Sequence, residues 1–265
     1  MTCPRLCRRF TGKINARLYT GDALAFLDGL RAGTADLILL DPPFNLGKKY
    51  GPRANDRMLE GDYEEWMVRL LNAAVRVLAE GGSLYLYHLP AWAIVFGAHL
   101  KGHLRFQHWI AVSMKNGFVR GRRLYPAHYG LLFFTKGNPT ILNRPKLAVE
   151  YCQCGRTRKS YGGYLSIVQK KGLNLSDFWD DVSPVRHRRL KRRTANELPR
   201  TVTDRIVAIS GGAGKTYIDP FAGAGSGILA AARAGMRIQA CDIVRANVAA
   251  QITALEALLN DPGEM

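Results

Sequence analysis

Short apolar runs alternate with amphipathic stretches along most of the chain, which predicts βα units built around a parallel sheet. Strands are expected at residues 17–22, 35–40, 83–88, 106–113, 131–135, 216–218 and 237–241. Helices are expected at residues 23–30, 62–78, 91–100, 197–209, 226–234 and 246–259. The helical pattern is strongest at 62–78, where Asp62 is the predicted N-cap and the Gly81-Gly82 pair the predicted end.

The regular alternation stops between Gly137 and about Asn196, where Gly, Pro, Tyr and basic residues dominate the sequence. We interpret this stretch as an insertion made mostly of loops. Residues 1–136 and 196–265 are then expected to form one α/β domain, and residues 137–195 the insertion within it.

Composition adds a strong basic charge to this picture. The chain has 38 Lys+Arg against 21 Asp+Glu, a net charge of +17, which favours a polyanionic partner such as DNA, RNA or an anionic membrane. Residues 115–200 alone hold 19 Lys+Arg and 5 Asp+Glu. No apolar run approaches the roughly 20 residues that span a bilayer. The five Cys are scattered, so a cytoplasmic protein with reduced thiols is expected.

The first motif with evident chemistry is Asp41-Pro42-Pro43-Phe44, which directly follows the predicted strand at 35–40. Open α/β folds bind their ligands at that edge of the sheet. Because two prolines restrict the backbone, the Asp41 carboxylate and the Pro42 carbonyl can each accept one N–H of a planar amine, while Phe44 stacks on its ring. The alternative interpretation is a proline-rich turn with a capping Asp.

The second motif runs from Asp219 to Gly227, where a strand leads through a glycine loop into a helix. Glycines let a ligand approach the backbone, and a helix N-terminus offers N–H groups. The next strand ends at Asp242, about 20 residues beyond the loop, where an acid that binds ribose hydroxyls is expected. This pattern indicates a cofactor that contains adenosine, and an NAD site is the alternative interpretation at this step. Gly21-Asp22 lies at the end of a third predicted strand. Cys152 and Cys154 lack the usual zinc spacing, and no metal is predicted.

Together these motifs resemble those of the DNA amino-methyltransferases, and their order along the chain resembles the beta class of that family. The family's catalytic Asp-Pro-Pro-aromatic tetrapeptide corresponds to Asp41, Pro42, Pro43 and Phe44. Its S-adenosylmethionine loop implies cofactor contacts from Asp219, Pro220, Phe221, Gly223, Gly225 and Ser226. Asp22 resembles the acid that contacts the cofactor's adenine, and Asp242 the acid that contacts its ribose.

The resemblance implies a Rossmann-like, seven-stranded class I methyltransferase sheet, circularly permuted between its second and third strands, with a loop-rich basic target-recognition insertion. Residues 1–136 would be the catalytic part and 196–265 the cofactor-binding part. Thr194, Asn196 or Thr201 would contact the methionine carboxylate. The implied reaction is direct methyl transfer to the exocyclic amine of a base flipped out of double-stranded DNA. Asp41 favours adenine N6, and cytosine N4 is the alternative.

The basic insertion is the expected DNA-reading region, because six of the eight residues at 186–193 are Lys or Arg. DNA contacts are predicted for Lys115, Arg120, Arg122, Arg123, Arg186, Arg188, Arg189, Lys191, Arg192 and Arg193. The expected partner is double-stranded DNA in the cytoplasm, at the nucleoid. A cognate restriction endonuclease and a second copy of the chain are further candidate partners.

Three other functions stay open at this point. The same fold could methylate an RNA base or a protein glutamine, although such relatives usually carry Asn in place of Asp41. A methyltransferase scaffold without activity could bind DNA alone. An NAD oxidoreductase would need a catalytic pair that the sequence after the glycine loop lacks.

Overall fold

The structure, a computed structural model, describes residues 3–47, 57–114, 124, 126–147, 164–182 and 198–260. Its strands are β1 (Arg5–Phe10), β2 (Asn15–Thr20), β3 (Ala35–Leu40), β4 (Leu78–His88), β5 (Arg105–Ser113), β6 (His128–Thr135), β7 (Lys146–Leu147), β8 (Leu173–Asn174), β9 (Phe178–Trp179), β10 (Thr216–Asp219) and β11 (Arg237–Asp242). Its helices are α1 (Ala23–Asp28), α2 (Glu60–Val77), α3 (Pro90–Lys101), α4 (Tyr164–Lys171), α5 (Arg200–Ser210), α6 (Ser226–Arg233) and α7 (Arg245–Asn260).

One large sheet organises the chain, with the strand order β1-β2-β11-β10-β3-β4-β6-β5-β9. The strands from β2 to β4 in this order are mutually parallel, and β6 is antiparallel to both of its neighbours. The seven strands from β2 to β5 form the predicted seven-stranded sheet. Because β10 and β11 come late in the chain yet lie between β2 and β3, the predicted permuted order is confirmed.

The sheet separates two apolar layers, and β3 shows how the sequence builds both. Leu37 and Leu39 enter the layer formed with α5, α6 and α7, whereas Ile38 and Leu40 enter the layer formed with α1, α2 and α3. Successive side chains of a strand point to opposite faces. An apolar run without polar interruption therefore becomes a strand that is buried on both sides, and the predicted bounds of β3 agree with the structure.

The end of α2 differs from the prediction. The helix stops at Val77, and the chain passes at Leu78 directly into β4 with extended backbone angles. The Gly81-Gly82 pair, predicted to end the helix, lies inside β4, where the register against β3 is irregular. A side chain at Gly81 would lie 2.1 Å from the Thr140 hydroxyl oxygen, so glycine is needed for this close approach.

The start of α2 also differs from the prediction. Leu59 occupies the N-cap and makes no side-chain hydrogen bond to the helix. Asp62, the predicted N-cap, lies with Glu60 in the first turn, where a negative charge is favourable next to the positive end of the helix dipole.

Two edge strands of the large sheet were not predicted. The first, β1, pairs antiparallel with β2. The second, β9, lies in the region predicted as loops and pairs in parallel with β5, so that Trp179 is buried in the core. The described part of 137–195 also contains α4 and the β7–β8 pair. No helix among the described residues is long and apolar enough to cross a membrane.

Lys136 stabilises the junction between α2 and β4. Its ammonium group donates to the Val75 carbonyl at 3.1 Å and to the Leu78 carbonyl at 3.0 Å. Carbonyl groups in the last turn of a helix lack partners within the helix, and a cation is favourable there. Lys136 therefore supplies the C-terminal cap that neither glycine provides.

We predict that Lys136→Met lowers the free energy of unfolding by about 1–3 kcal/mol, because the variant lacks two hydrogen bonds from a charged donor. Urea denaturation of the variant measures this change. Lys101→Met, at the exposed end of α3, removes the same charge and should change the free energy by less than about 0.5 kcal/mol. Equal effects of the two substitutions would contradict the capping role.

Candidate active site

The carboxyl ends of five neighbouring parallel strands form one edge of the sheet. Asp242, Asp219 and His88 are the last residues of β11, β10 and β4. Asp41 directly follows β3, and Asp22 comes two residues after β2. Since parallel strands all end on the same side, motifs that are far apart in the sequence lie side by side here.

The Asp41–Phe44 turn lies in an aromatic environment. Pro42 is buried, and Asp41 and Phe44 are half-buried. The Phe44 ring centroid lies 4.8 Å from that of His88, 5.9 Å from that of Tyr129 and 6.1 Å from that of Tyr87. The turn therefore presents an acid and an aromatic face together, as the motif predicts.

The Asp41 carboxylate affects two neighbouring tyrosines. Burial raises the pKa of Tyr87 well above its usual value, and the negative charge of Asp41 raises it further. The pKa of Tyr129 is raised by the same two causes in the same order. Both hydroxyls thus stay protonated at neutral pH and remain hydrogen-bond donors beside the acid.

The turn is anchored by two residues, Tyr63 and Asn45, which sequence reasoning did not assign to the site. The Tyr63 hydroxyl donates a hydrogen bond to the Pro43 carbonyl. The Asn45 side chain exchanges two hydrogen bonds with the Met58 backbone, at 2.8 and 3.1 Å, and Asn45 itself has a left-handed φ of 56°. The periodic apolar face of α2 includes Tyr63, which is the signal that could have identified it.

The glycine loop has the backbone that its sequence predicts. Gly225 has φ 87° and is the N-cap of α6, a conformation that favours glycine. A side chain at Gly227 would lie 2.1 Å from the Tyr217 hydroxyl, so this position also requires glycine. Pro220 and Gly225 are buried, whereas Phe221, Gly223 and Ser226 are half-buried along the loop.

Asp219 lies beneath this loop and is almost completely buried. Its carboxylate accepts hydrogen bonds from the Tyr217 hydroxyl at 2.9 Å and from the Phe221 N–H at 3.1 Å. Burial raises the pKa of Asp219 to about 7, although these two hydrogen bonds act in the opposite direction. The carboxylate therefore supports the loop from below.

Asp242 connects the end of β11 to the same loop. One carboxylate oxygen accepts the Gly223 N–H at 2.8 Å. The other accepts the Val244 N–H at 2.7 Å and the Asn247 side-chain amide at 3.0 Å. On the next helix, Gln251 donates to the Gly223 carbonyl at 2.9 Å; sequence reasoning did not identify this contact. Gly223 is thus held through both its backbone N–H and its backbone carbonyl.

Asp22 is the N-cap of α1, because its carboxylate accepts the Ala25 N–H at 2.9 Å. It lies next to Asp242 at the sheet edge, since the Gly21 N–H donates to the Asp242 carbonyl at 3.2 Å. The acid predicted to contact adenine and the acid predicted to contact ribose are therefore neighbours.

Helix α2 links the Asp41–Phe44 turn to the glycine loop. Tyr63 contacts the turn, and one helical turn further on the Trp66 ring lies 6.2 Å from the ring of Phe221, edge to face. Beneath both motifs, the pKa of Tyr217 is raised by burial, by Asp219 and by Asp41. The two motifs thus border one site.

The ten residues predicted to contact DNA all lie outside the described residues, as do Thr194, Asn196, Cys152 and Cys154. Thr201 is described and is exposed in the first turn of α5. Cys241 is buried in β11, and burial raises the pKa of its thiol to about 12.

Comparisons with known proteins agree with this geometry. The chain is 38% identical over 236 residues to the Type II methyltransferase M.BamHI of Bacillus amyloliquefaciens, covering 86% of this chain and 56% of that protein. It is 28% identical to the Type II methyltransferase M.HpaI of Haemophilus parainfluenzae, covering 80% of this chain and 65% of that protein. The chain thus spans less than two thirds of the length of these two relatives.

The fold is also found in a solved structure. The DNA modification methylase TTHA0409 of Thermus thermophilus, in complex with S-adenosyl-L-methionine, superposes with a TM-score of 0.59 at 20% identity, covering 91% of this chain and 94% of that one. The family model described as DNA methylase, for enzymes of the N6 and N4 type, matches residues 35–251. This match includes both the Asp41–Phe44 turn and the glycine loop, and the chain therefore belongs to the N6/N4 DNA methylase family.

Proposed function

We propose that this chain transfers the methyl group of S-adenosylmethionine to the exocyclic amine of a base that is flipped out of double-stranded DNA. The observation that carries the proposal is the adjacency of two motifs at one sheet edge: the Asp41–Phe44 turn after β3 and the glycine loop after β10. An amine held by the first motif faces a cofactor held by the second.

The residues at the glycine loop fit S-adenosylmethionine. Gly223 and Gly225 both have left-handed φ angles, 48° and 87°, so the loop follows a path that favours glycine. Of the two, Gly223 is half-buried, and its backbone is the part that a ligand can approach. Asp242 brings a carboxylate to the loop and Asp22 brings a second one beside it, which suits the ribose hydroxyls and the adenine amine. When bound, the cofactor supplies a methyl group on a positively charged sulfur.

The Asp41–Phe44 turn holds the target amine. The Asp41 carboxylate and the Pro42 carbonyl each accept one N–H, so the nitrogen lone pair points towards the methyl group. Phe44 stacks on the base. Transfer of the methyl group would leave an extra proton on the nitrogen, which the Asp41 carboxylate would accept and release to solvent.

The base must leave the duplex first, because its amine cannot be reached inside the stack. Unstacking and unpairing cost a few kcal/mol, which contacts to phosphates and stacking in the pocket offset. The region 137–195 is proposed to provide the phosphate contacts and to read the sequence. A restriction endonuclease for the same site and a second copy of the chain are proposed as further partners.

Base identification tests the proposal as a whole. The protein is expressed in cells that lack other DNA methyltransferases, and their DNA is hydrolysed and analysed by mass spectrometry. N6-methyladenine or N4-methylcytosine is expected, and the product distinguishes the two target amines. If neither base appears while the protein binds the cofactor, the proposed reaction is wrong.

We predict that Asp41→Ala lowers the rate of methyl transfer at least about 100-fold, because the amine no longer has an acceptor that orients it. The dissociation constant for S-adenosylmethionine should stay within about twofold of the wild type, since Asp41 contacts the amine and not the cofactor. Transfer of radiolabelled methyl groups to DNA and isothermal titration measure the two quantities. Full activity in this variant would disprove the assigned role.

We predict the opposite pattern for Asp242→Asn. The new amide replaces one carboxylate oxygen by an NH2 group, which then faces one of the N–H donors that now bind Asp242, so the dissociation constant for S-adenosylmethionine should rise about tenfold or more, equivalent to about 1.4 kcal/mol. Asp204→Asn, on the exposed side of α5, removes the same charge and should leave the constant unchanged. Unaltered cofactor binding in Asp242→Asn would exclude it from the cofactor site.

For the basic run, we predict that replacing Arg188, Arg189 and Lys191 by Ala weakens DNA binding. The slope of log K against log[salt] should become shallower by about 0.9 for each phosphate that the variant no longer neutralises. The control replaces Arg5, Arg9 and Lys13 by Ala in and next to the edge strand β1, where all three are exposed. Equal salt dependence in both triple variants would place the phosphate contacts elsewhere.

A further inference from the structure

A buried chain of hydrogen bonds ends at the Asp41–Phe44 turn. The Leu89 backbone N–H donates to Nδ1 of His88 at 2.8 Å. The other ring nitrogen of His88, Nε2, lies 2.7 Å from the Tyr63 hydroxyl oxygen. That hydroxyl in turn donates to the Pro43 carbonyl. This series of hydrogen bonds joins α2, the end of β4 and the turn.

Only one distribution of protons satisfies every group in this chain. A backbone N–H can only donate, so Nδ1 of His88 must accept, and the proton of the neutral ring must be on Nε2. Nε2 then donates to the Tyr63 oxygen, whose own hydrogen points to the Pro43 carbonyl. With the proton on Nδ1 instead, the Leu89 N–H and the His88 Nδ1–H would face each other as two donors. Nε2 and the Pro43 carbonyl would then both need the single hydrogen of the Tyr63 hydroxyl.

The surroundings keep His88 neutral. The side chain is fully buried, and burial lowers its pKa to about 3. Its ring centroid lies 4.8 Å from that of Phe44, 5.6 Å from that of Phe96 and 6.3 Å from that of Trp92. Among such apolar rings, a donor or acceptor left without its partner costs about 1–3 kcal/mol, so the hydrogen-bonded arrangement is strongly favoured.

The turn is consequently held at two points. Tyr63, which is 1% exposed, fixes the Pro43 carbonyl, and the His88 ring packs against the Phe44 ring. Because Pro43 has a restricted φ, a fixed Pro43 carbonyl also restricts the peptide before it. That preceding peptide carries the Pro42 carbonyl, which is proposed to accept the target amine.

We propose that Tyr63 and His88 are positioning residues, which act through the Pro43 carbonyl to aim the Asp41–Phe44 turn at the target amine. This inference rests on the proposed function. Neither residue needs to touch the base or the cofactor. Their effect is to keep the acceptor groups of the turn in the one orientation that methyl transfer requires, since small displacements of reacting groups lower rates strongly.

The first experiment compares two buried tyrosine hydroxyls. Tyr63→Phe removes the hydroxyl that reaches the turn. The matched control, Tyr85→Phe, removes a hydroxyl on β4 that is also buried and pairs with the Ser210 hydroxyl at 2.8 Å. Both variants keep their ring packing. Tyr85→Phe leaves the Ser210 hydroxyl without this partner, whereas Tyr63→Phe leaves both Nε2 of His88 and the Pro43 carbonyl without theirs, so Tyr63→Phe should lose at least as much thermal stability.

Single-turnover methyl transfer separates the two variants. Tyr63→Phe should lower the transfer rate about 10- to 100-fold, while the dissociation constants for S-adenosylmethionine and DNA stay within about twofold. Tyr85→Phe should keep the wild-type rate within about twofold. Equal rates in the two variants would overturn the positioning role of Tyr63 even if both are less stable.

Substitutions of His88 provide the rescue test. His88→Gln keeps an N–H near the position of Nε2 and should retain the transfer rate within about threefold, whereas His88→Leu should be as slow as Tyr63→Phe. The double variant Tyr63→Phe/His88→Leu should be no slower than either single variant, because residues that act in one chain of contacts are not additive. Additive losses, or a His88→Gln variant as slow as His88→Leu, would overturn the coupling.

The wild-type protein distinguishes failure of this inference from failure of the proposed function. If the wild type transfers no methyl group to any DNA base, the proposed function is wrong, and the inference that rests on it is overturned as well. If the wild type is active and Tyr63→Phe is as fast as Tyr85→Phe, only the positioning inference is wrong.

Discussion

The parallel pairing of β3 with β10 is the constraint on which the site depends. Leu37 pairs with Tyr217 and Ile38 with Ile218, although about 180 residues separate these strands in the sequence. Parallel strands end on the same side of a sheet, so the turn after β3 and the glycine loop after β10 become neighbours. If that register shifted by one residue, the side chains of one strand would exchange faces, and the two motifs would no longer face one site.

Around this edge, the polar groups are held mainly by other parts of the protein. Asp242 accepts the Gly223 N–H, Asp219 accepts the Tyr217 hydroxyl, and the Pro43 carbonyl accepts the Tyr63 hydroxyl. Buried polar groups that are satisfied in only one arrangement make a site rigid. The turn and the loop are therefore held in place by the protein's own groups, which suits a reaction that depends on orientation.

Helix α2 contributes to both motifs at once. Tyr63 contacts the turn, Trp66 contacts Phe221 of the loop, and Lys136, which follows β6, caps the far end of the helix. A helix is rigid over this length, so the distance between the two motifs is set partly by the spacing of its side chains. The apolar face of α2 is thus part of the site as well as part of the core.

The sequence by itself determined the elements and motifs whose causes are local. The apolar run of β3, the glycines of the loop and the Asp-Pro-Pro-Phe turn each depend on neighbouring residues. The structure confirms the bounds of β3, the start of α6 after the glycine loop and the position of the turn directly after β3. Only the tertiary structure decided the contacts between distant segments. Packing between elements decides three such features: the strand β9, the position of Gly81 inside β4, and the hydrogen bonds that connect His88 to the turn through Tyr63. No pattern within one segment encodes such packing, because the partner that satisfies each group lies elsewhere in the chain.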